Sequence, residues 1–168
     1  MVDHLHIRVA VPGDAAELQR VHRAAVFGSG AAFYPTEVLQ GWAKPCTPES
    51  IAQHAKIIEQ QEEQTFVAEW DGVVAGFSVL ASPSNELRAV YVDSAYQGKG
   101  IGTALLEVLE AQAGKEQLQF LEMDASLNAQ SFYEAHGYRI ISFGTHTLSS
   151  GVVMDCVKMR KEFDKKVI

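Results

Sequence analysis

The chain has 168 residues, of which 47% are hydrophobic, and a formal net charge of −7 at pH 7. This size and apolar content suit one domain with a substantial core, and no linker divides the chain, so we predict a single domain over residues 1–168. The negative charge argues against a general nucleic-acid-binding protein, which needs a basic face, and weakly favours a cationic partner.

Composition also bears on location and on metals. Cys46 and Cys156 are too few and too far apart for a disulfide framework or a zinc site, so we expect a reducing compartment. The chain starts without a signal-peptide pattern and lacks any run of about eighteen apolar residues. We therefore predict a cytoplasmic protein without membrane contact. No pair of histidines has ligand spacing on a convincing helix or strand, and no metal is predicted.

The N-terminal part predicts a strand followed by a helix. Apolar residues alternate over 5–11, and Pro12-Gly13 then ends the strand. Asp14 and Glu17 have the spacing of a capping box, which predicts the start of a helix. Two glycines, at positions 28 and 30, are expected to end it.

An aromatic segment follows over residues 31–46. Val38 and Trp42 lie one helical turn apart, which makes a short helix plausible. Phe33, Tyr34 and Trp42 either belong to the core, as aromatic residues commonly do, or line a ligand pocket. The residues alone leave both interpretations open.

The middle of the chain predicts a helix and three antiparallel strands. Thr47 before Pro48 is a helix start, and the helix runs to about residue 62. Asp71-Gly72 between two apolar runs, 65–70 and 73–81, indicates a hairpin. A turn then leads into a strand over residues 86–92.

Three glycines at every second position carry the strongest functional signal. Gly98, Gly100 and Gly102 let a ligand approach the backbone, and apolar residues at helical spacing follow them as far as Gly114. Loop amides and the free N–H groups of a helix start together suit an anion. We interpret residues 97–103 as a pyrophosphate cradle.

Two other glycine-rich motifs do not fit this stretch. A P-loop requires Gly-Lys-Ser/Thr, but Lys99 is followed by Gly100. A dinucleotide fingerprint beginning at Gly98 needs glycine where Thr103 stands. Neither a mononucleotide nor a nicotinamide or flavin site is therefore favoured.

The C-terminal part completes a β-loop-α-β unit and adds a hairpin. An apolar strand over 118–124 is expected to lie parallel to the strand over 86–92, with the cradle at their carboxyl ends. A short helix over 128–136 follows and stops at Gly137. Strands over 138–147 and 152–160 form the final pair.

Two motifs resemble those of one family. Gln97-Gly98-Lys99-Gly100-Ile101-Gly102, preceded by Val90-Tyr91-Val92-Asp93, resembles the acetyl-CoA-binding core of the GNAT superfamily of N-acetyltransferases. The helix that begins at Asn128 and contains Tyr133 resembles the second signature of that family. The resemblance implies an α/β (α+β) fold, with a mixed, mostly antiparallel sheet of about six or seven strands and helices on both faces.

The resemblance also implies an activity and a cofactor site. The activity is transfer of an acetyl group from acetyl-CoA to a primary amine by direct attack, without a covalent acyl-enzyme. The residues implied in binding acetyl-CoA are Val90, Tyr91, Val92, Gln97, Gly98, Lys99, Gly100, Ile101, Gly102, Thr103, Asn128 and Tyr133.

Catalytic and acceptor residues follow from the same resemblance. Tyr133 is expected to act as the acid toward the leaving thiolate, and Glu86 as the base toward the amine. Glu122 and Asp124 are alternatives, either as base or as anchors for a cationic acceptor. The acceptor wall is assigned to Tyr34 and Trp42.

Two alternatives remain open at this stage. One is a CoA-binding sensor without transfer activity, against which the presence of both Tyr133 and Glu86 argues. The other is a transferase for a longer acyl-CoA. The expected partner is a small-molecule amine, and a homodimer is possible.

Overall fold

A computed structural model describes residues 3–164 and shows one mixed sheet of seven strands, in the order β1-β2-β3-β4-β5-β7-β6. The strands are β1 (Leu5–Val9), β2 (Gln64–Trp70), β3 (Val73–Ala81), β4 (Glu86–Val92), β5 (Phe120–Ser126), β6 (Arg139–Thr147) and β7 (Val153–Glu162). The α-helices are α1 (Ala15–Ser29), α2 (Thr36–Trp42), α3 (Pro48–Gln60), α4 (Ile101–Lys115) and α5 (Gln130–Ala135). Short 3₁₀ turns precede α1, α5 and the cradle loop.

Helices cover both faces of the sheet, and consecutive residues of β2 and β3 are therefore buried. On β2, Val67 packs with Leu18 and Val21 of α1, whereas Phe66 and Ala68 pack with the residues of α4. The predicted fold class is therefore confirmed, with a single pair of parallel strands among the described ones.

That parallel pair, β4 and β5, is the feature that creates the site. The strands share one register position, Glu86 opposite Glu122, near their first residues. The backbone N–H of Glu122 also donates to the Asn85 carbonyl over 2.9 Å. Beyond this point the strands diverge toward their carboxyl ends, which leaves that edge of β4 without a strand partner and opens a cleft.

The predicted start of the first helix was wrong in its details. Strand β1 ends at Val9 rather than at residue 11, and the Asp14 carboxylate does not cap α1. It accepts the Val11 N–H at 2.8 Å and the two terminal nitrogens of Arg8 at 2.8 and 2.9 Å. The pKa of Asp14 is lowered chiefly by Arg8, so the carboxylate ties β1 to the following turn instead of forming a capping box with Glu17.

Two glycines predicted to end helices lie inside them. Helix α1 passes through Gly28, where an added Cβ would stand 2.6 Å from the Ser94 Cβ, so this glycine allows α1 to approach the cradle loop. Helix α4 passes through Gly114 to Lys115, and the left-handed residue after it is Gln117, with φ of 60°. Helix α1 ends at Ser29 with Gly30 as its C-cap, so the prediction holds for that second glycine.

Strand β5 also differs from its prediction. It begins at Phe120 instead of residue 118, and buried and exposed residues alternate along it. Met123 and Ala125 are buried on the α4 side, whereas Glu122 and Asp124 are exposed on the other side. The open face of β5 borders the cleft. Within residues 3–164, no helix is both long and apolar enough to cross a membrane.

Candidate active site

The three glycines form a turn whose backbone is open to a ligand. Gly98 and Gly100 have φ of 77° and 78°, and a Cβ added at either would meet nothing within 4 Å. Gly100 is the N-cap of α4, so the first amide groups of that helix point at the same place. Gly102 serves packing instead, since its added Cβ would lie 3.4 Å from the Phe132 ring.

A cavity of about 430 Å³ lies between the cradle and the diverging ends of β4 and β5. It is large enough for a small-molecule ligand. The residues predicted to bind acetyl-CoA line this cavity with the exception of Lys99: Val90, Tyr91, Val92, Gln97, Gly98, Gly100, Ile101, Gly102, Thr103, Asn128 and Tyr133.

Lys99 is directed elsewhere. Its Nζ lies 4.9 Å from the centre of the Trp70 ring, a cation–π contact with the end of β2. The cradle therefore presents backbone amides to the cavity, and the lysine side chain packs outside it.

Asn128 brings an unsatisfied polar atom to the same cavity. Its Nδ2 donates to Ser29 Oγ at 3.4 Å, whereas its Oδ1 is buried and has no hydrogen-bond partner within residues 3–164. A buried amide oxygen without a donor is costly. A ligand N–H would remove that cost.

Tyr133 is 4% exposed and lies where α5 meets the cleft. Burial, assisted by the neighbouring Tyr91, raises the pKa of its hydroxyl well above the ordinary value. The phenol is therefore fully protonated at neutral pH and can serve as a proton donor.

A second, narrower cavity of about 120 Å³ meets the first one. The residues shared by the two cavities are Trp42, Val90, Tyr91, Ser126, Ala129 and Tyr133. The second cavity also reaches Glu86, Asp124 and His146. Tyr133 thus stands at the junction of a glycine cradle and a pocket that contains acidic groups.

Glu86 lines the second cavity, but not in the register expected from alternation. A bulge in β4 pairs Leu80 with Leu87 and Val79 with Ala89, so Leu87 shares the α4-side core with Val90 and Val92. Glu86 is therefore out of register with Val90 and Val92. Its carboxylate is 40% exposed and lies 3.6 Å from Arg88 Nε.

The two alternative carboxylates, Glu122 and Asp124, have different ion-pair partners. Glu122 pairs with Arg160 at 2.7 Å and lines a third cavity of about 250 Å³, which shares Glu86, Met123 and Asp124 with the second one. Asp124 borders the second cavity, where its carboxylate lies 3.1 Å from His146 Nδ1 and 3.4 Å from Lys158 Nζ. Sequence reasoning missed His146 because no local motif links it to Asp124.

A family model described as an acetyltransferase (GNAT) domain matches residues 30–163. The chain belongs to the GNAT acetyltransferase family. A search of curated proteins finds no match to this chain.

Solved structures of GNAT proteins share the fold over nearly the whole chain. A GCN5-related N-acetyltransferase from Rhodopseudomonas palustris is 29% identical, with a TM-score of 0.86, over 97% of this chain and 99% of that one. The PaiA N-acetyltransferase of Thermoplasma acidophilum, solved with coenzyme A, is 22% identical, with a TM-score of 0.74, over 95% and 99% of the two chains. The putative acetyltransferase YncA of Salmonella typhimurium, solved with acetyl-CoA, is 20% identical, with a TM-score of 0.72, over 99% and 98%.

The two aromatic residues assigned to the acceptor wall of this GNAT domain have different positions. Tyr34 is 7% exposed and lines neither cavity; its hydroxyl donates to the Asp155 carbonyl at 2.6 Å and accepts the Leu127 N–H at 2.8 Å. Trp42 lines both cavities, and its Nε1 donates to the Tyr91 hydroxyl at 3.1 Å. Tyr34 is thus placed as a structural link, and Trp42 as a wall.

Behind Trp42, the GNAT domain contains a buried histidine. The His22 ring centre lies 4.5 Å from that of Tyr91, and its Nε2 is buried without a hydrogen-bond partner in the described chain. Burial, with smaller effects of His54 and Arg23, lowers the pKa of His22 to about 4. His22 is therefore neutral at physiological pH.

Nucleophilic and metal chemistry have little support in this GNAT site. The Cys156 side chain borders the second cavity, but burial and the nearby Asp124 raise the pKa of its thiol, which keeps it protonated. Cys46 is exposed and lines neither cavity. Across residues 3–164, no three His, Cys, Asp or Glu side chains group as metal ligands.

Proposed function

We propose that this GNAT protein is an N-acetyltransferase that moves an acetyl group from acetyl-CoA to a primary amine by direct attack. The observation that carries the proposal is the position of Tyr133, a buried and protonated phenol at the junction of the two cavities. The larger cavity suits the acyl donor, and the second, narrower cavity suits the amine.

The larger cavity fits coenzyme A in three respects. The cradle at Gly98 and Gly100 offers backbone amides and a helix N-terminus to a pyrophosphate. Among the described residues the Asn128 oxygen has no donor, and an amide of the pantetheine arm would supply one. The exposed edge of β4 offers peptide groups that β5 does not use. Two proteins with this fold were solved with coenzyme A or acetyl-CoA.

The protein groups meet the needs of this reaction. An alkylamine has a pKa near ~10, so roughly one molecule in a thousand is neutral at pH 7 and a proton acceptor is needed. Glu86 is the proton acceptor that the sequence predicts, and this residue borders the second cavity. Tyr133 protonates the departing thiolate, and a backbone N–H of Val90 to Val92 is the proposed donor to the oxyanion.

Direct attack is favoured over an acyl-enzyme by the state of the thiols. A nucleophilic cysteine needs a lowered pKa, but that of Cys156 is raised. The amine is therefore proposed to attack the thioester itself, and the acceptor is proposed to be a small-molecule amine.

Thiol release from acetyl-CoA tests this function. The panel contains amino acids, polyamines, aminoglycosides, aryl amines and short peptides, with a blank that lacks acceptor. Amine-dependent release is expected with at least one class, together with an acetylated amine in the mass spectrum. Tight CoA binding without release from any amine would instead favour the sensor alternative, and release from a longer acyl-CoA alone would change the assigned acyl group.

A further inference from the structure

The second cavity contains a carboxylate–imidazole pair that no sequence motif indicates. Asp124 projects from β5, and His146 projects from the edge strand β6. The Asp124 Oδ2 lies 3.1 Å from His146 Nδ1, and both residues line the same cavity as Tyr133.

The hydrogen bond determines which nitrogen of His146 is available. An ionised carboxylate only accepts hydrogen bonds, so Nδ1 carries the proton that points to Asp124. In the neutral ring the lone pair is then on Nε2. Asp124 thus orients the imidazole of a residue that lines the second cavity, and Nε2 is left as its basic nitrogen.

Glu86, the other candidate base, is engaged in a different way. Its carboxylate lies 3.6 Å from Arg88 Nε and accepts from Ser84 Oγ at 3.4 Å. It stands at the first residue of β4, where β4 and β5 are still paired, whereas Tyr133 lies at the divergent end. Asp124 lies two residues beyond Glu122, the β5 residue opposite Glu86, and so is closer to the divergent end of the two strands.

We propose that His146, oriented by Asp124, is the proton acceptor for the amine, and that the second cavity admits the amine-bearing arm of the acceptor. This inference rests on the proposed acetyltransferase function and specifies the acceptor side of that site.

The proton balance is complete with these groups. The ammonium form of the acceptor gives one proton to His146 Nε2, and the neutral nitrogen forms the new C–N bond. The thioester C–S bond then breaks, and the thiolate takes a proton from Tyr133. The second nitrogen-bound proton leaves with amide formation and restores the phenol, so each turnover releases one proton to solvent through His146.

The lining of the cavity defines the acceptor class. A volume of about 120 Å³ admits a slender arm and excludes a bulky ring system. Its apolar walls include Leu148 and Met154, and its charged groups are Glu86, Asp124 and Arg88. Arg88 is already paired with Glu63 at 3.0 Å. The expected acceptor is an unbranched primary amine that enters as a cation.

The groups that face His146 come from three neighbouring strands. They are Asp124 on β5, Cys156 and Lys158 on β7, and Glu86 and Arg88 on β4. The pH profile of the His146 variant is therefore compared with those of variants at Asp124 and Glu86.

The test compares three cavity variants, His146→Gln, Asp124→Asn and Glu86→Gln, with His6→Gln. The last removes an exposed histidine that pairs with Glu69 at 3.5 Å, away from both cavities. kcat/KM is measured with n-butylamine, and with the best amine of the panel, from neutral pH upward. CoA affinity is measured by calorimetry for every variant.

His146→Gln is expected to lower kcat/KM for the amine about 10²-fold at neutral pH, with unchanged CoA affinity. Its rate should then rise about tenfold per pH unit toward the amine pKa near ~10, because only the neutral amine reacts. Asp124→Asn should show a smaller loss of kcat/KM with the same dependence on pH. His6→Gln should leave kcat/KM unchanged. A wild-type rate and profile in His146→Gln, with the loss in Glu86→Gln, would overturn the assignment.

A binding measurement separates this inference from the proposed function. With CoA present, n-butylamine should shift the ring resonances of His146 in NMR spectra and leave those of His6 unchanged. If no amine releases thiol, the acetyltransferase function fails, while a His146 shift still supports the amine pocket. The absence of any His146 shift overturns the pocket assignment.

Discussion

Arg20 on α1 binds Asp93, the residue that follows β4, with 2.7 Å between Nη1 and the Asp93 carboxylate. Its other terminal nitrogen donates to the Val74 carbonyl at 2.7 Å, and the second Asp93 oxygen accepts the Ala95 N–H at 3.0 Å. Asp93 is 6% exposed. The pair thus connects α1, β3 and the entrance of the glycine cradle.

Asp93→Asn should lower the free energy of unfolding by about 1–3 kcal/mol, because it removes the charge of a buried, hydrogen-bonded partner. CoA affinity should also fall, because the loop before Gly98 loses its anchor. Urea unfolding and calorimetry measure the two effects. Glu162→Gln is the control, since this exposed carboxylate pairs with Arg139 and Arg160, and each pair is expected to contribute less than about 1 kcal/mol. Equal effects of the two variants would contradict the anchoring role.

Gly100→Glu should abolish CoA binding, because it places a carboxylate where the cradle is proposed to hold a pyrophosphate. The φ of 78° also strains any side chain, at a cost of roughly 1–2 kcal/mol. Gly151→Glu shares that strain, with φ of 86° and open space around its Cβ, but lies outside both cavities. Calorimetry should find normal affinity in the control alone; retained affinity in Gly100→Glu would refute the cradle.

Tyr133→Phe should lower kcat about 10²-fold and leave CoA affinity nearly unchanged, because only the proton donor is removed. Tyr138→Phe provides the comparison. That residue is 3% exposed, and its hydroxyl donates to Glu110 at 2.9 Å, outside both cavities. The Tyr138→Phe variant should be less stable than the wild type but have the same kcat. Steady-state kinetics with thermal unfolding separate the cases, and an unchanged kcat in Tyr133→Phe would remove it as the acid.

Initial-rate kinetics should show a ternary complex rather than a ping-pong pattern. The reason is that the Cys156 thiol, whose pKa is raised, remains protonated. Incubation with acetyl-CoA alone should leave Cys156 without an acetyl thioester in peptide mass spectra. Parallel double-reciprocal lines, or a modified Cys156, would indicate an acyl-enzyme.

Stability should fall as the pH is lowered from about 6.5 toward 4, and His22 should contribute to this loss. Its pKa is lowered from 6.5 to about 4 in the folded protein, so the unfolded chain binds more protons between these values. The contribution is on the order of 3 kcal/mol. His22→Leu should flatten the dependence of unfolding free energy on pH, whereas His6→Gln should not. Identical slopes in wild type and His22→Leu would exclude His22 as a source.

The sequence by itself determined the elements whose signals are local. The hairpin at Asp71-Gly72 and the cradle at Gly98 and Gly100 depend on backbone conformations that glycine permits, and all three glycines have positive φ. Helical and strand periodicity predicted the order of elements, and the family motifs led to the fold class. These features depend on residues close together in the chain.

Only the tertiary structure decided what distant residues do together. The bulge in β4 placed Glu86 out of register with Val90, and the divergence of β4 and β5 opened the cleft. The pairing of Asp124 with His146 joins residues that sequence spacing does not connect. Such relationships depend on strand order and on how side chains share limited space, and neither is encoded in a local pattern of residues.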